Sequence, residues 1–547
     1  MSFFQLVRHE MQGSLNRLVI LGGLGGISIV SILAAINAGA HAVDSGNPSL
    51  WAATLFIVAL LLFIKMQNYI LITATTEIEA IIHRVRVRLM DQVRQSELLP
   101  LDRIGRAEIV AAVSKETAIL TQASNSLAFA TQGLILLLFV AIYVAYLSLS
   151  AFALSVIIVG VAAALFHSWN RQLAEARREA AEWENRLFNR LMDLLDGFKE
   201  VRLNSSRSED LYSDIDEVSR TAANIKIRTQ AETFRRMVLL QSSMYAMLGA
   251  IVFVVPVFSG TLGGASISKT VTALVFVMGT CFGLVQMIPI LSAANAAADN
   301  IGRLEARLLA TLADAQVGAA EPARRFDQIE MHDIVFSYVE KSTETVFKVG
   351  PVDFTLRSGE LIFIIGGNGS GKSTFLKLLA SLYKPDAGEI AYDGILVTDN
   401  TREAYRQLIG AIFVDYHLFQ RLYGIPDPDP LEVDRLLAQF RLLDKTCLAH
   451  GEFNTVDLST GQRKRLALIV SLLEKRPILL LDEWAADQDP DFRRKFYFDL
   501  LPALHRAGVT VVVVTHDDRY LDEMDLPARR LRMDEGRFVE QHSVENG

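Results

Sequence analysis

The chain has 547 residues, 51% of them hydrophobic, and a formal net charge of −8. That length suits two or three domains rather than one, and the hydrophobic share excludes a disordered or fibrous protein and is high for an ordinary soluble enzyme. The acidic balance argues against a general nucleic-acid binder, and it is uneven: residues 1–322 hold 26 Lys+Arg and 26 Asp+Glu, so all of the −8 falls after Glu321.

Six apolar stretches, at 18–40, 51–74, 127–147, 150–169, 237–258 and 271–294, are long enough to cross roughly 30 Å of hydrocarbon. Arg8 and Arg17 before the first stretch and Ala38-Gly39-Ala40 after it imitate a secretory signal. Its apolar core is too long for one, however, and five more stretches follow. Arg84, Arg86, Arg88, Arg94, Arg103, Arg106 and Lys115 fall between the second and third stretches, and thirteen basic residues between the fourth and fifth. The other connections carry almost none, which places both termini and the two long loops in the cytoplasm. Residues 77–95 and 171–196 keep a helical, proline-free composition, so helices are expected to run on past the membrane and turn back near Leu98–Asp102 and Asn204–Arg207. Six spans with two long cytoplasmic excursions resemble the exporter-type transmembrane domain of ABC transporters, in which short helices at the loop tips couple to the nucleotide-binding domain.

Within the spans Lys65 stands out, since charge in hydrocarbon is costly. It sits about 21 Å of helix beyond Trp51, so it either snorkels to the cytoplasmic interface or faces transported substrate. Pro256 and Pro289 can kink their helices, and Gln286 and Asn295 can pack between helices or face a cavity. Gly22 and Gly26 have the spacing of a close helix contact. Cys281 and Cys447, one in each half, make a disulfide framework improbable, and no metal-ligand spacing occurs.

After an expected helix at 296–309 and a linker at 314–321, strands are expected at 329–338, 350–356 and 361–365. The last runs into Gly366-Gly-Asn368-Gly369-Ser370-Gly371-Lys372-Ser373-Thr374 and a helical stretch, 375–382. A strand, a glycine-rich turn and a helix in this order form a P-loop, whose backbone N–H groups and helix N-terminus cradle phosphate. Lys372 would reach the β- and γ-phosphates and the Ser373 hydroxyl would take Mg²⁺; a structural glycine turn is the plainer alternative. A second apolar strand, 478–481, ends in Asp482-Glu483. Carboxylates at the end of a buried strand suit Mg²⁺ coordination at Asp482 and polarisation of the attacking water at Glu483 better than helix capping. A third strand, 509–514, delivers His516, placed to bond a γ-phosphate or its water.

Leu458-Ser459-Thr460-Gly461-Gln462 before the helical run 463–474, together with the P-loop, Asp482-Glu483 and His516 in that order, resembles the ATP-binding-cassette family over roughly 329–539. The resemblance implies that Tyr338 stacks on adenine, that Asp489 is the D-loop aspartate crossing between subunits, and that each ATP lies between one subunit's P-loop and its partner's Ser459–Gly461 and Gln462. Two chains are then needed, most simply as a homodimer. Asn368-Gly369-Ser370, Gln462-Arg463-Lys464-Arg465 and Glu483-Trp484-Ala485-Ala486-Asp487-Gln488-Asp489 further resemble the cyclic-peptide exporters, bacterial inner-membrane half-transporters that include pyoverdine-precursor and microcin exporters. The chain departs from the pattern where the Q-loop glutamine falls on Val414: neighbouring Asp415 either substitutes as a Mg²⁺ ligand or has no catalytic part. The stretch 415–458 is short, with no acidic-glycine X-loop.

The expected fold is thus a six-helix all-α transmembrane domain of the ABC exporter type (1–313) and a linker (314–328), fused to an α/β P-loop nucleotide-binding domain (329–547). The expected function is ATP-driven export of a cyclic or modified peptide through a lipid membrane. A lipid flippase or multidrug exporter is the alternative; a non-transporting sensor or an importer fits the fused, hydrolysis-competent layout less well. No leader peptidase domain is expected before the first span, so cargo would arrive already processed.

Overall fold

The computed structural model describes residues 3–10, 14–44, 49–254, 264–311, 325–339, 346–425 and 427–539. The expected linker at 314–321 and Pro256 lie outside them. The chain forms two compact units, one of Met1–Met90 with Ala107–Ala306, the other of Asp91–Arg106 with Arg307–Gly547.

The first unit is helical: α1 (Phe3–Glu10), α2 (Ser14–Asp44), α3 (Leu50–Gln95), α5 (Arg106–Ala111), α6 (Thr117–Leu147), α7 (Leu149–Asp196), α8 (Phe198–Leu203), α9 (Ser205–Phe253) and α10 (Gly264–Leu309); α4 (Leu98–Ile104), between α3 and α5 in sequence, belongs to the second unit. α3 and α7 continue unbroken from apolar into charged sequence, because nothing in 77–95 or 171–196 interrupts the i→i−4 ladder. Ser148 caps α7 and Asn204 caps α9, its Oδ1 accepting the Arg207 N–H at 3.1 Å. Among the described residues four helices are long and apolar enough to cross a membrane: Gly23–Ala40, Leu50–Gln95, Ser205–Phe253 and Val271–Leu309. In α6 and α7 the described apolar windows are shorter, Gln132–Tyr146 and Leu149–Leu165, within unbroken helices of 31 and 48 residues.

Leu33, Val140, Val144, Met247, Ile251 and Leu274 pack at the centre of this unit. A side chain at Gly26 would come within 3.1 Å of Phe139 and 3.2 Å of Ile135, so its lack of one lets α2 approach α6. Asn295 joins two helices: its Oδ1 accepts the Phe3 N–H at 2.7 Å and holds α1. Lys65 and Gln286 are exposed along their helices. Arg88 joins Glu10 (2.7 Å) to Glu305 (2.6 Å), tying α1, α3 and α10 together.

In the second unit, β1 (Gln328–Val339), β2 (Val346–Arg357), β4 (Ala387–Tyr392) and β5 (Ile395–Leu396) form an antiparallel sheet in the order β2-β1-β4-β5. A six-stranded sheet runs β12-β11-β3-β10-β9-β6, parallel except at β12. Its strands are β3 (Leu361–Ile365), β6 (Ile409–Ile412), β9 (Ile478–Asp482), β10 (Thr510–Val514), β11 (Arg529–Asp534) and β12 (Arg537–Val539). β7 (Leu448–Ala449) and β8 (Glu452–Phe453) form a hairpin apart from both sheets.

β3, β9 and β10 are apolar throughout because both their faces are covered. Alternate residues serve two cores. Leu361, Phe363, Leu479, Leu481, Val511 and Val513 point into one; Ile362, Ile364, Ile478, Leu480, Val512 and Val514 point into the other. Leu98 and Leu99 of α4 pack on this second core, and Glu97 accepts from Arg402 at 2.9 Å and Arg406 at 3.2 Å, at either end of α12 (Arg402–Arg406).

Candidate functional site

The six-stranded sheet delivers the candidate residues at the carboxyl ends of adjacent parallel strands, where ligands bind in open α/β sheets. β3 ends at Ile365, and α11 (Lys372–Leu379) starts after Gly371. Gly366 has φ +153°, and a side chain there would lie 2.2 Å from the Met533 carbonyl oxygen, so only glycine fits. Lys372, buried, donates to the Gly366 and Gly367 carbonyls at 3.0 and 2.8 Å. Burial lowers its pKa, while neighbouring Glu483 and Asp482 oppose that shift. The Ser370 hydroxyl is buried with no hydrogen-bond partner among the described residues.

In register, Asp482 on β9 lies beside Val514 on β10, and Glu483 N–H donates to the Val514 carbonyl at 3.0 Å. That pairing places His516 beside Glu483, with His516 Nε2 3.0 Å from Glu483 Oε1. Glu483 has φ +48°, a conformation that turns the chain sharply off the strand. Asp482 is 1% exposed, and one of its oxygens has no hydrogen-bond partner among the described residues. Burial raises its pKa above the usual carboxylate range, against a hydrogen bond from Ser373. A buried carboxylate oxygen without a partner, next to a serine hydroxyl, fits a hard divalent cation such as Mg²⁺.

Ser459 caps α14 (Thr460–Leu473) in a box with Gln462, whose side chain accepts the Ser459 N–H at 3.2 Å. A side chain at Gly461 would meet the Asp487 carbonyl oxygen at 2.6 Å, so α14 is pressed against the turn that follows β9. Gln488 Nε2 donates to Gly461 O at 3.1 Å, and Arg465 pairs with Asp489. Asp489 caps α15 (Pro490–Lys495); the Phe492 N–H and the Arg465 guanidinium hold its carboxyl below the usual range.

Phe347 pairs in register with half-buried Tyr338 and would touch a side chain at Gly371, which sets Tyr338 beside the P-loop. Asn368 and Gly369 form the exposed turn of that loop, and Thr374 is buried behind it. Asp415 lies exposed past the end of β6, and no hydrogen bond among the described residues joins it to Ser373 or Asp482. Likewise no hydrogen bond among the described residues links Ser459–Gln462 to the P-loop of the same chain.

Several residues escaped the sequence reading. Lys464, 3% exposed, donates to Glu483 O at 2.8 Å and pairs with Asp487 at 2.7 Å; Trp484 Nε1 donates back to Lys464 O at 2.8 Å. The basic run 463–465 reads as a solvated helix face, and only its place directly after Gln462 hints that two of its members are buried. In the helical unit a cavity of about 470 Å³ lies among α6, α7, α9 and α10, lined mostly by apolar residues such as Leu137, Met244 and Phe282, with Gln241 and Tyr245 as polar groups.

A profile of the ABC transporter family matches residues 349–486. The ATP-binding protein SyrD of Pseudomonas syringae pv. syringae is 32% identical over 527 residues, 93% of this chain and 91% of that protein. An ATP-dependent lipid A-core flippase of Aromatoleum aromaticum is 32% identical over 248 residues, but only 41% of this chain and 38% of that one are aligned. The structure of a bacterial Atm1-family ABC exporter with ATP bound superposes with a TM-score of 0.77 over 98% of this chain and 95% of that one, at 18% identity.

Proposed function

The chain belongs to the ABC transporters, as an exporter-type half-transporter, and from that premise we propose that it is an ATP-driven exporter of cyclic or otherwise modified peptides in a bacterial inner membrane. Two copies form the working unit, with both termini and the ATPase units cytoplasmic. Residues 1–313 make the transmembrane part and 329–547 the ATPase. The observation that carries the ATPase reading is the 3.0 Å contact between Glu483 and His516 at neighbouring strand ends.

In this reading the P-loop backbone, Ser370 and Lys372 bind the phosphates, with Tyr338 against the base. Ser373 and Asp482 would hold Mg²⁺, which would supply charge neutralisation at the phosphates. Glu483 orients the attacking water, and His516 holds Glu483 in place and reaches the γ-phosphate. Lys372 gives up its two carbonyl partners to phosphate oxygens, which restore the charge stabilisation that burial removes. Ser459 and Gly461 of one copy close over the ATP of the other. That closure, carried into the long helices, alternates the access of the membrane cavity.

Peptide cargo rests on the run from Glu483 to Asp489. A second reading, a lipid flippase or multidrug exporter, is favoured by the apolar lining of the membrane cavity. ATP-dependent uptake into inverted vesicles separates the two. Accumulation of a cyclic peptide with matching ATPase stimulation supports the first; lipid-stimulated ATPase indifferent to peptides supports the second.

A further inference from the structure

Arg493 on α15 gathers groups that the proposed roles leave unconnected. Its Nε donates to Ala485 O at 3.1 Å, and its Nη2 to Ala486 O at 2.8 Å and Gln488 O at 3.4 Å. A rigid five-donor fork suits three carbonyls of one tight turn, where a lysine would reach one. Its remaining nitrogen meets Asp517 Oδ1 at 3.4 Å. The other Asp517 oxygen accepts from Tyr497 at 3.1 Å, and the Tyr497 hydroxyl is 2.7 Å from Thr515 Oγ1. Thr515 and Asp517 bracket His516. Tyr497 is fully buried and stacked on Tyr520 at 5.1 Å and 8°, so its hydroxyl has little freedom.

On its far side the same turn is fixed to the start of α14, through Gln488 to Gly461 and Arg465 and through Lys464 to Asp487. We propose that Arg493, with Asp517 and Tyr497, is a positioning strut that links the loop carrying His516 to the segment carrying Ser459, Gly461 and Asp489. This inference rests on the reading of the chain as one half of a dimeric ATPase. There His516 serves the ATP bound by its own chain, while Ser459–Gly461 and Asp489 serve the ATP of the partner. The strut then makes the geometry of one ATP site depend on closure at the other. Among the described residues no hydrogen bond joins Arg493 or Tyr497 to the P-loop, Asp482 or Glu483.

The test is steady-state ATP hydrolysis by the purified full-length protein as a function of ATP concentration, for wild type, Arg493→Ala, Arg493→Lys and Tyr497→Phe. Tyr497→Phe keeps the stacked ring and removes only the hydroxyl, which guards against simple misfolding. The strut predicts that Arg493→Ala lowers kcat by at least about tenfold with KM for ATP changed less than about twofold, and that cooperativity falls toward a Hill coefficient of about 1. Arg493→Lys does not rescue it, and Tyr497→Phe moves both quantities the same way by a smaller amount. Wild-type hydrolysis with kcat and Hill coefficient unchanged in Arg493→Ala and Tyr497→Phe overturns the strut and leaves the exporter reading standing. A wild-type protein that binds ATP and does not hydrolyse it overturns that reading itself.

Discussion

His516 Nε2 and Glu483 Oε1 meet at 3.0 Å although they are 33 residues apart in sequence. Parallel pairing of β9 with β10 aligns Asp482 with Val514, and each strand is prolonged just enough to bring the next functional group to the sheet edge. The pair is made by register, and register is enforced because both faces of each strand are buried.

The first prediction follows from that contact. Glu483→Gln keeps the size and one hydrogen bond to His516 but removes the negative charge proposed to orient water. Steady-state hydrolysis should fall by at least about a hundredfold while ATP affinity changes by less than about threefold. His516→Ala should give a smaller loss. Turnover near the wild-type rate in purified Glu483→Gln would remove Glu483 from the chemistry.

A second prediction concerns Gly461. An alanine there places its Cβ 2.6 Å from the Asp487 carbonyl, and backbone on both sides leaves little room to give. Gly461→Ala should destabilise the ATPase unit by about 1–3 kcal/mol. It should also slow hydrolysis, because the start of α14 is pushed away from the turn after β9. An unchanged melting temperature with full activity would show that the junction is loose.

The sequence made the motif residues legible because their chemistry is local. Gly366 to Thr374 follows a strand and precedes a helix, and Asp482-Glu483 ends an apolar run. Lys464, Arg493 and Tyr497 were not legible, since their partners come from turns and strands elsewhere in the chain and their residue types alone suggest an exposed helix face or a core aromatic. Sequence left Asn295 either packing between helices or facing a cavity; the Phe3 N–H at the start of α1 is the partner that sequence could not supply. The long helices were legible because 77–95 and 171–196 contain nothing that stops a helix.

Asp489 makes a pH-dependent prediction. The Phe492 N–H, then Arg465, lower its folded pKa below the unfolded value of about 3.9. A depressed carboxylate contributes stability that is present above the unfolded pKa and lost as pH falls through the folded one. Asp489→Ala should therefore cost about 1 kcal/mol near neutral pH, modest because the side chain is half exposed. The difference from wild type should shrink below about pH 4. Thermal unfolding followed by intrinsic fluorescence across that range measures it, and a pH-independent difference would assign the loss to packing.

Glu97 is held by two arginines, and removing it would leave Arg402, only 6% exposed, short of a partner although Asp399 still contacts it at 2.8 Å. Breaking such a partly buried pair should cost about 2 kcal/mol, below the range for fully buried pairs because Glu97 is one-fifth exposed. The loss falls on the attachment of α4, whose other anchors are Leu98 and Leu99. Glu97→Ala should leave ATP hydrolysis within about threefold of wild type, since no catalytic group is touched. It should weaken the nucleotide-dependent change in the helical unit, read as tryptic cleavage within 171–236 with and without ATP and vanadate. Charge exchange, Glu97→Arg with Arg406→Glu, should restore part of that response; hydrolysis and cleavage that fall in parallel would mean that the ion pairs only stabilise the fold.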